Sequence, residues 1–314
     1  MADSYDLVIV GGGVTGYGAA VYAGRFRMKT LVIAKEKGGL ITWTHIVENY
    51  PGFQSISGYD LAKALWEHAE ASGAESVDDE VIGITRQKDG CFLAQTKDGK
   101  ALLAKALLLA TGTKVKTLGI PGEKEFHNKG VHYCATCDGA LYQGKTVAII
   151  GGSDSAAKEA LLMTEYCPKV YLIFRGEDIK PEPINKERVL ANQKIELVPK
   201  TNVLEYCGDK NLKAVKLDRP LHGKTELALD AAFVAVGHIP LSGFAKTLGC
   251  ALNEAGEIKI DASSRTNVRG VFAAGDVVDT EFKQAITGVA EGVWAVYEAY
   301  KYIKENEFIC PVSE

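Results

Sequence analysis

DLVIVGGGVTGYGAAVYA, residues 6–23, joins an apolar run to a glycine cluster and then to an alanine-rich stretch. TVAIIGGSDSAAKEALLM, residues 146–163, repeats the same order of features later in the chain. An apolar strand, a glycine turn and a helix N-terminus form the phosphate-binding part of a dinucleotide-binding domain. Two copies predict an α/β protein with two Rossmann-like, three-layer dinucleotide-binding domains.

Each copy continues with a second apolar strand and then a later apolar run that ends in glycine. After the first copy these are KTLVIAKE (29–36) and ALLLATGT (106–113). After the second copy they are KVYLIFRG (169–176) and AAFVAVGH (231–238). A lone glycine motif is a weak indication, whereas a repeat that extends over three strands supports both domains.

The first copy has every part of the dinucleotide motif G-x-G-x-x-G. Gly11 allows the tight turn, Gly13 lets the backbone approach a pyrophosphate, and Gly16 permits close packing of the helix on the strand. Glu36 follows the second strand, where an acidic residue binds a ribose hydroxyl. The alternative for Glu36 is a solvated charge in a loop.

The second copy departs from this motif. Ser153 stands at the second glycine position, and Ala156, an accepted substitute, stands at the third. No acid ends the second strand there. Arg175 and Lys180 could pair with the 2′-phosphate of NADPH, or could be solvated charges. The sequence therefore predicts a second nucleotide site with a modified phosphate loop.

The segment HYCATCDG (132–139), just before the second copy, contains a Cys-x-x-Cys pair. Such a pair can be half of a zinc site, a structural disulfide or a redox-active dithiol. Zinc needs two more ligands, and the other five cysteines are scattered singly without a nearby histidine or cysteine. We therefore expect redox chemistry at Cys134 and Cys137, no metal site, and small core residues at the other five cysteines.

The composition of the whole chain disfavours several classes of function. Of its 314 residues 46% are hydrophobic and 24% are charged, which is typical of a globular protein with two domains. A net charge of −4 gives no electrostatic reason to expect nucleic acid or an anionic membrane as partner. The start MADSYDLVIVGGG lacks a basic signal segment, and no apolar run reaches the ~20 residues of a membrane helix. These features predict a cytoplasmic protein.

Segments spread along nearly the whole chain match one known family. They are GGGVTG (11–16), KGGLIT (37–42), VENYPG (47–52), ATG (110–112), CATCDGALY (134–142), GGSDSA (151–156), VGHIP (236–240), GVFAAGDV (270–277) and KQAITGVAEG (283–292). With these segments the chain resembles the low-molecular-weight, bacterial-type thioredoxin reductases. CATCD ahead of the second glycine loop and GVFAAGDV near the C-terminus are the most specific of them.

The resemblance implies two cofactors, FAD and either NADPH or NADH. It implies an FAD-binding domain of residues 1–115 and 242–314, with an inserted NAD(P)H-binding domain of residues 116–241 that carries the Cys-x-x-Cys. The residues implied at FAD are Gly11, Gly13, Thr15, Gly16, Glu36, Gly39, Leu40, Asn49, Thr111, Gly112, Gly275, Asp276, Gln284 and Ala285. The residues implied at NAD(P)H are Gly151, Gly152, Ser153, Asp154, Ser155, Arg175, Lys180 and Gly237.

The same resemblance implies that Cys134, Cys137 and Asp138 are catalytic. Electrons would pass from NAD(P)H through FAD to the dithiol, and then to thioredoxin or a thioredoxin-like protein. Cys137 would face the flavin, and Cys134 would attack the partner disulfide. Asp138 would manage protons, although its sequence position is equally compatible with a helix N-cap. The resemblance also implies a homodimer.

One segment departs from the family, at the binding site for the 2′-phosphate. The family usually carries His-Arg-Arg-x-x-x-Arg there, whereas this chain reads FRGEDIK (174–180). NADPH, NADH and a non-nicotinamide donor such as reduced ferredoxin therefore all stay open. A flavin dithiol oxidase of the same fold is a further alternative. A flavin-bound sensor without turnover is another, although the intact Cys-x-x-Cys argues against it.

Overall fold

The computed structural model describes residues 3–308. The chain divides into two compact units, of which one runs to Lys114 and resumes at Pro240, and the other is Val115–Ile239. The sequence predicted the inserted segment as residues 116–241. Each unit contains a parallel sheet with glycine-containing turns and helices, and the second unit is inserted into the first. The predicted α/β fold class is confirmed.

The first unit is built on a seven-stranded sheet. Its strands are β1 (Asp3–Val10), β2 (Thr30–Ala34), β3 (Glu75–Asp78), β4 (Val81–Arg86), β5 (Phe92–Thr96), β6 (Ala101–Leu109) and, after the insertion, β17 (Val271–Ala273). Their order is β3-β2-β1-β6-β5-β4, and β17 pairs with β6. The pairs formed by β1, β2, β3, β6 and β17 are parallel, whereas β4 and β5 join by antiparallel pairing.

Two hydrophobic layers cover the two faces of this sheet. Its helices are α1 (Val14–Arg25), α2 (Gly58–Ala71), α6 (Gly243–Thr247), α7 (Ala285–Glu305) and a short 3-10 helix, Gly39–Trp43. Because strand side chains alternate, Leu7 and Ile9 pack with residues of α1 and α7, whereas Val8 and Val10 pack in a separate cluster. Burial on both faces explains why β1 reads as a continuous apolar run.

The second unit contains a five-stranded parallel sheet and a three-stranded antiparallel sheet. The parallel strands are β8 (Val131–His132), β9 (Thr146–Ile150), β10 (Lys169–Ile173), β11 (Ile195–Val198) and β15 (Ala231–Val234), in the order β11-β10-β9-β15-β8. The antiparallel strands are β12 (Val203–Gly208), β13 (Leu212–Leu221) and β14 (Lys224–Ala228). Its helices are α3 (Ala135–Asp138), α4 (Asp154–Tyr166), α5 (Pro183–Ala191) and the 3-10 helix Gly139–Tyr142.

Three layers form the core of the second unit. Val147 and Ile149 of β9 pack against alanines of α4, whereas Ala148 and Ile150 pack with residues of the antiparallel sheet. At the unit boundaries the short strands β7 (Thr113–Val115) and β16 (His238–Pro240) pair with each other. Within the described part of the chain no helix has both the length and the apolar character needed to cross a membrane.

Candidate active site

The residues predicted at FAD gather at one edge of the first unit's sheet, where its parallel strands end. Gly11 follows β1, Thr111 follows β6, and Asp276 follows β17. Ligands of open parallel sheets bind outside the carboxyl ends of the strands, where the strand order reverses. β1 is at that position, because β2 and β6 lie on its two sides.

The glycines of the first loop have different structural roles. Gly11 has φ +117°, and a Cβ there would lie 2.1 Å from the carbonyl oxygen of Ala110. A Cβ on Gly16 would lie 2.0 Å from the carbonyl oxygen of Gly11. At Gly13 the nearest atom to such a Cβ is 4.0 Å away, so the space before α1 is open.

That open space fits a pyrophosphate. Gly13 is the N-cap residue of α1 and makes no side-chain cap hydrogen bond, so the first turn keeps backbone N–H groups for an anion. Gly38 donates its backbone N–H to the carbonyl oxygen of Gly12 over 2.8 Å, which brings Gly39 and Leu40 beside this loop. Glu36 lies two residues beyond β2 and is exposed, as a ribose-binding acid must be.

The end of β17 adds the second wall of the site. Gly275 has φ +82°, and a Cβ there would lie 2.5 Å from Oγ1 of Thr15, so glycine allows this close approach. Asp276 is exposed, whereas the other residues of 271–278 are buried. Glu291, which the sequence did not single out, accepts the Gly275 N–H over 2.8 Å and thereby holds this turn.

The remaining predicted FAD residues lie at the start of α7 and after β6. Gln284 is the N-cap residue of α7, in a capping box with Thr287, and Ala285 is the first helical residue. Asn49 donates an amide N–H to Oε1 of Gln284 over 3.0 Å. The Thr111 hydroxyl donates to the carbonyl oxygen of Leu241 over 2.8 Å, and Gly112 follows with φ +61°.

The glycine loop of the second unit repeats the backbone geometry of the first. Gly151 has φ +150°, and a Cβ there would lie 2.1 Å from the carbonyl oxygen of Ala235. Lys180 donates its backbone N–H to the carbonyl oxygen of Gly152 over 2.7 Å, as Gly38 does to Gly12. Ser153 and Ser155 are exposed, and Ser153 makes no side-chain cap hydrogen bond to α4.

Asp154 is already engaged within the second unit. Its carboxylate accepts the backbone N–H of Glu182 and the side-chain amide of Asn185, each over 2.9 Å, and pairs with Lys158 over 2.7 Å. Partial burial raises the pKa of this carboxyl, but the hydrogen bonds outweigh burial and the net pKa is lowered. Asp154 therefore joins the start of α4 to the start of α5.

We expect Asp154→Asn to lower the free energy of unfolding by about 1 kcal/mol at neutral pH, because the variant loses the charge beside Lys158 and the helix N-terminus. A carboxyl whose pKa is lower in the folded protein than in the unfolded protein stabilises the fold at pH values above its unfolded-state pKa of about 4. The difference between the two proteins should therefore shrink as pH falls below that value and vanish below the lowered pKa of the folded protein. Urea unfolding at several pH values measures it, with Glu177→Gln, at an exposed surface pair of the same unit, as control. A difference that grew in acid would contradict the prediction.

The segment predicted to bind a 2′-phosphate, residues 174–180, contains two basic residues and two acidic residues, and both acidic residues form ion pairs with lysines outside the segment. Arg175 and Lys180 are both exposed. Glu177 pairs with Lys200 over 2.7 Å, and Asp178 pairs with Lys186. Gly237, beyond β15, has φ +102° and no atom within 4 Å of a Cβ position.

Cys134 and Cys137 are joined by a disulfide, with Cα atoms 5.3 Å apart. The pair lies at the start of α3, where Sγ of Cys134 accepts the backbone N–H of Cys137 over 3.1 Å. Cys134 is 7% exposed, whereas Cys137 is an exposed residue. The more accessible cysteine here is therefore Cys137, although the resemblance assigned the attack on the partner to Cys134.

Asp138 has a partner that the sequence did not predict. It makes no side-chain cap hydrogen bond to the helix that follows, so the N-cap alternative is not realised. Its Oδ2 lies 2.9 Å from Nδ1 of His132, and Nε2 of His132 lies 2.8 Å from the Tyr142 hydroxyl. The sequence signal was His132 in HYCATCDG, but only the fold shows that its ring turns toward Asp138.

The other five cysteines were predicted to be small core residues, and of these Cys310 lies outside the described residues. Cys167 and Cys250 are buried and free, and Cys207 is free and half-buried. Cys91 is buried in the core, as predicted, but it is disulfide-bonded, whereas half-buried Cys207 departs from the predicted core position. Between residues 3 and 308 no group of three or more His, Cys, Asp and Glu side chains could hold a metal ion.

Comparison with known proteins identifies the family. The family model described as "Pyridine nucleotide-disulphide oxidoreductase" matches residues 5–292. This chain belongs to that family. Its two glycine loops and its Cys134–Cys137 pair fit a flavoprotein disulfide oxidoreductase with a redox-active dithiol, whose family uses FAD and NAD(P)H.

Relatives of this oxidoreductase include proteins named thioredoxin reductase. The one from Treponema pallidum (strain Nichols) is 38% identical over 306 residues, which cover 96% of this chain and 98% of the relative. The solved structure of Lactococcus lactis thioredoxin reductase is 36% identical with a TM-score of 0.92, and the match covers 96% and 100% of the two chains. A Clostridium acetobutylicum structure titled ferredoxin-flavin thioredoxin reductase is 28% identical with a TM-score of 0.52, over 98% and 100%.

Proposed function

We propose that this chain is a thioredoxin-disulfide reductase. It passes electrons from NAD(P)H through FAD to the Cys134–Cys137 disulfide, and then to thioredoxin or a thioredoxin-like protein. The observation that carries the proposal is the disulfide with an exposed Cys137, located in a unit that has its own nucleotide loop. The relatives named thioredoxin reductase, which align over nearly the whole chain, support the choice of thioredoxin.

In this proposal the FAD-binding domain is residues 1–115 and 242–314, and the NAD(P)H-binding domain is residues 116–241. The open space at Gly13 and the exposed Asp276 fit the pyrophosphate and ribityl parts of FAD. Ser153 and the first turn of α4 would bind the nicotinamide dinucleotide. FAD, when bound, supplies the two-electron chemistry that links a hydride donor to a disulfide.

The dithiol performs two exchange steps on the partner. One cysteine thiolate attacks the partner disulfide, which forms a mixed disulfide and releases one partner thiolate. The second cysteine attacks the mixed disulfide, which releases the second partner thiolate and restores the Cys134–Cys137 bond. Each released thiolate takes up a proton, and Asp138, directly after Cys137, is in position in the sequence to supply it.

A direct assay tests this function. FAD-loaded protein, NADPH or NADH, and oxidised thioredoxin are combined, and the thiols formed on thioredoxin are counted against the nicotinamide consumed. We expect one dithiol for each nicotinamide oxidised. Nicotinamide oxidation that depends on oxygen and leaves thioredoxin oxidised would reject the proposal.

The preference for NADPH over NADH should be weak. Each charge-assisted contact to the 2′-phosphate contributes ~1.5–3 kcal/mol. At the phosphate segment Gly176 stands where the family has an arginine, and Glu177 follows it. We expect kcat/KM for NADPH to exceed that for NADH by less than about a thousandfold, or roughly 4 kcal/mol.

The Gly176→Arg variant makes this expectation sharper. A Cβ at Gly176 lies 3.3 Å from the Asp178 carbonyl oxygen, so an outward side chain requires only a small adjustment. We expect kcat/KM for NADPH to rise about tenfold while the value for NADH stays the same, which makes NADH the internal control. An equal gain with both cofactors would contradict recognition of the 2′-phosphate at this segment.

A donor other than a nicotinamide is the second candidate. The acidic residues of the 174–180 segment and the related ferredoxin-flavin thioredoxin reductase both favour it. Anaerobic mixing with NADPH, NADH or a reduced ferredoxin decides among them, since only a working donor bleaches the flavin absorbance. A flavin dithiol oxidase would instead consume oxygen while it oxidises dithiols.

We also propose a cytoplasmic homodimer. The cytoplasm is the compartment in which thioredoxin keeps protein thiols reduced. The outer surfaces of α1 and α7 carry exposed aromatic side chains, with Tyr22 42%, Trp294 50% and Tyr297 42% accessible. Exposed aromatic side chains on adjacent helices are typical of a protein interface. Light scattering on the FAD-loaded protein tests the oligomeric state.

A further inference from the structure

His132 occupies a buried polar position beside the redox-active cysteines. It is the last residue of β8, two residues before Cys134, and only 3% of it is exposed. Its ring stacks on Phe233 with the centroids 5.3 Å apart, and both ring nitrogens have hydrogen-bond partners. A buried imidazole that is held on one face and at both nitrogens keeps one orientation.

The two partners determine the direction of the hydrogen bonds. An ionised Asp138 carboxylate can only accept, so Nδ1–H of His132 donates to it. A neutral imidazole then has an acceptor at Nε2, and the Tyr142 O–H donates to it. The chain of donors runs from Tyr142 through His132 to Asp138, and half-buried Tyr142 is its outer end.

The surrounding charges agree with a neutral imidazole. Burial lowers the pKa of His132, Asp138 opposes this effect, and His127 adds to it. Burial raises the pKa of Tyr142, and Asp138 and Asp230 raise it further. The phenol therefore keeps its proton at neutral pH.

We propose that Tyr142 and His132 relay protons to Asp138 during thiol–disulfide exchange, an inference that rests on the proposed function. The Nδ1 proton of His132 moves to the Asp138 carboxylate, which passes it to the leaving thiolate of the partner and is ionised again. The Tyr142 hydroxyl proton moves to Nε2, so the imidazole stays neutral. Tyr142 regains a proton from water, so one proton passes inward and no electrons move along this chain. His132 and Tyr142 are positioning residues that act through Asp138.

If His132 and Tyr142 relay protons, their removal slows exchange by an amount that depends on the pKa of the leaving thiolate. If they only pack, the slowing does not depend on the leaving thiolate. A leaving thiolate of high pKa needs a proton as it departs, whereas an aromatic thiolate of low pKa does not. The probes are therefore 2-hydroxyethyl disulfide, which releases an alkyl thiolate, and 5,5′-dithiobis(2-nitrobenzoate), which releases an aromatic one. Both react with the pre-reduced dithiol without thioredoxin.

The variants are His132→Phe, Tyr142→Phe and the double variant, all in the FAD-loaded full-length protein. His132→Phe keeps the stack on Phe233 and removes both hydrogen bonds, and Tyr142→Phe removes only the outer hydroxyl. His222→Asn is the matched control, because this exposed histidine of the same unit also binds a carboxylate, that of Glu196, over 2.7 Å. Thermal unfolding of each variant establishes that the variant is folded, so that the exchange rates of folded proteins are compared.

With the alkyl disulfide we expect His132→Phe to react at least tenfold more slowly and Tyr142→Phe several-fold more slowly than the unsubstituted protein. The double variant should be no slower than His132→Phe, because the two residues act in series. With the aromatic disulfide every variant should react at the unsubstituted rate.

Three outcomes would overturn the relay. They are a normal rate for Tyr142→Phe with the alkyl disulfide, additive effects in the double variant, or an equal slowing with both probes. A protein that exchanges with the small disulfides as expected but leaves thioredoxin oxidised would contradict the proposed function alone. If neither probe reacts with the dithiol even in the unsubstituted protein, both proposals are rejected.

Discussion

Serine at either position of the Cys134–Cys137 pair is expected to lower thioredoxin reduction by about a thousandfold or more. Each exchange step breaks and forms a bond to sulfur, and a serine hydroxyl cannot take the place of a thiolate in it. A thousandfold loss corresponds to ~4 kcal/mol of transition-state stabilisation. Steady-state reduction of thioredoxin disulfide by the FAD-loaded variants measures this loss.

The same variants should keep the earlier half of the reaction. Reduction of bound FAD by the nicotinamide does not need the dithiol, so its anaerobic bleaching should proceed at the unsubstituted rate. Cys207→Ser is the control, because Cys207 is a free cysteine of the same unit and burial raises the pKa of its thiol. Either single variant retaining full activity toward thioredoxin would reject the dithiol as the relay.

The sequence predicts the parts of the site that depend on backbone geometry. Gly11 and Gly151 need φ values of +117° and +150°, and a side chain at either position would meet a carbonyl oxygen 2.1 Å away. Because these backbone constraints allow only glycine at these positions, the glycine motif in the sequence indicates them. The repeat also predicts the fold class, because an apolar run before each motif forms a strand of a buried parallel sheet.

The sequence does not predict which polar side chains are occupied by other parts of the protein. Asp154 stands in the phosphate loop by position, yet its carboxylate binds Glu182, Asn185 and Lys158. Glu291 supports the turn at Gly275 from 16 residues away along the chain. These contacts form between side chains that only the packed elements bring together, so no local pattern encodes them.

Gly13→Val is expected to give a folded protein that binds FAD at least about a hundredfold more weakly. Gly13 has φ −81°, which valine adopts without strain, and no atom lies closer than 4.0 Å to the position of its Cβ. The side chain therefore fills space that the protein leaves open and that the pyrophosphate needs. A hundredfold weaker affinity corresponds to ~2.7 kcal/mol.

Two neighbouring positions separate this effect from damage to the fold. Gly11→Val should unfold the loop itself, because φ is +117° and the Cβ would overlap the carbonyl oxygen of Ala110. Ser153→Val makes the corresponding change in the second loop, where a side chain is already present, and should leave FAD affinity unchanged.

FAD fluorescence titration of the apoprotein measures the affinity of each variant, and thermal unfolding measures its stability. The expected pattern is a stable Gly13→Val protein with weak FAD binding and an unstable Gly11→Val protein. FAD bound at the unsubstituted affinity by Gly13→Val would mean that the space before α1 does not hold the pyrophosphate. The flavin would then have to bind elsewhere, and the assignment of the first unit to FAD would be wrong.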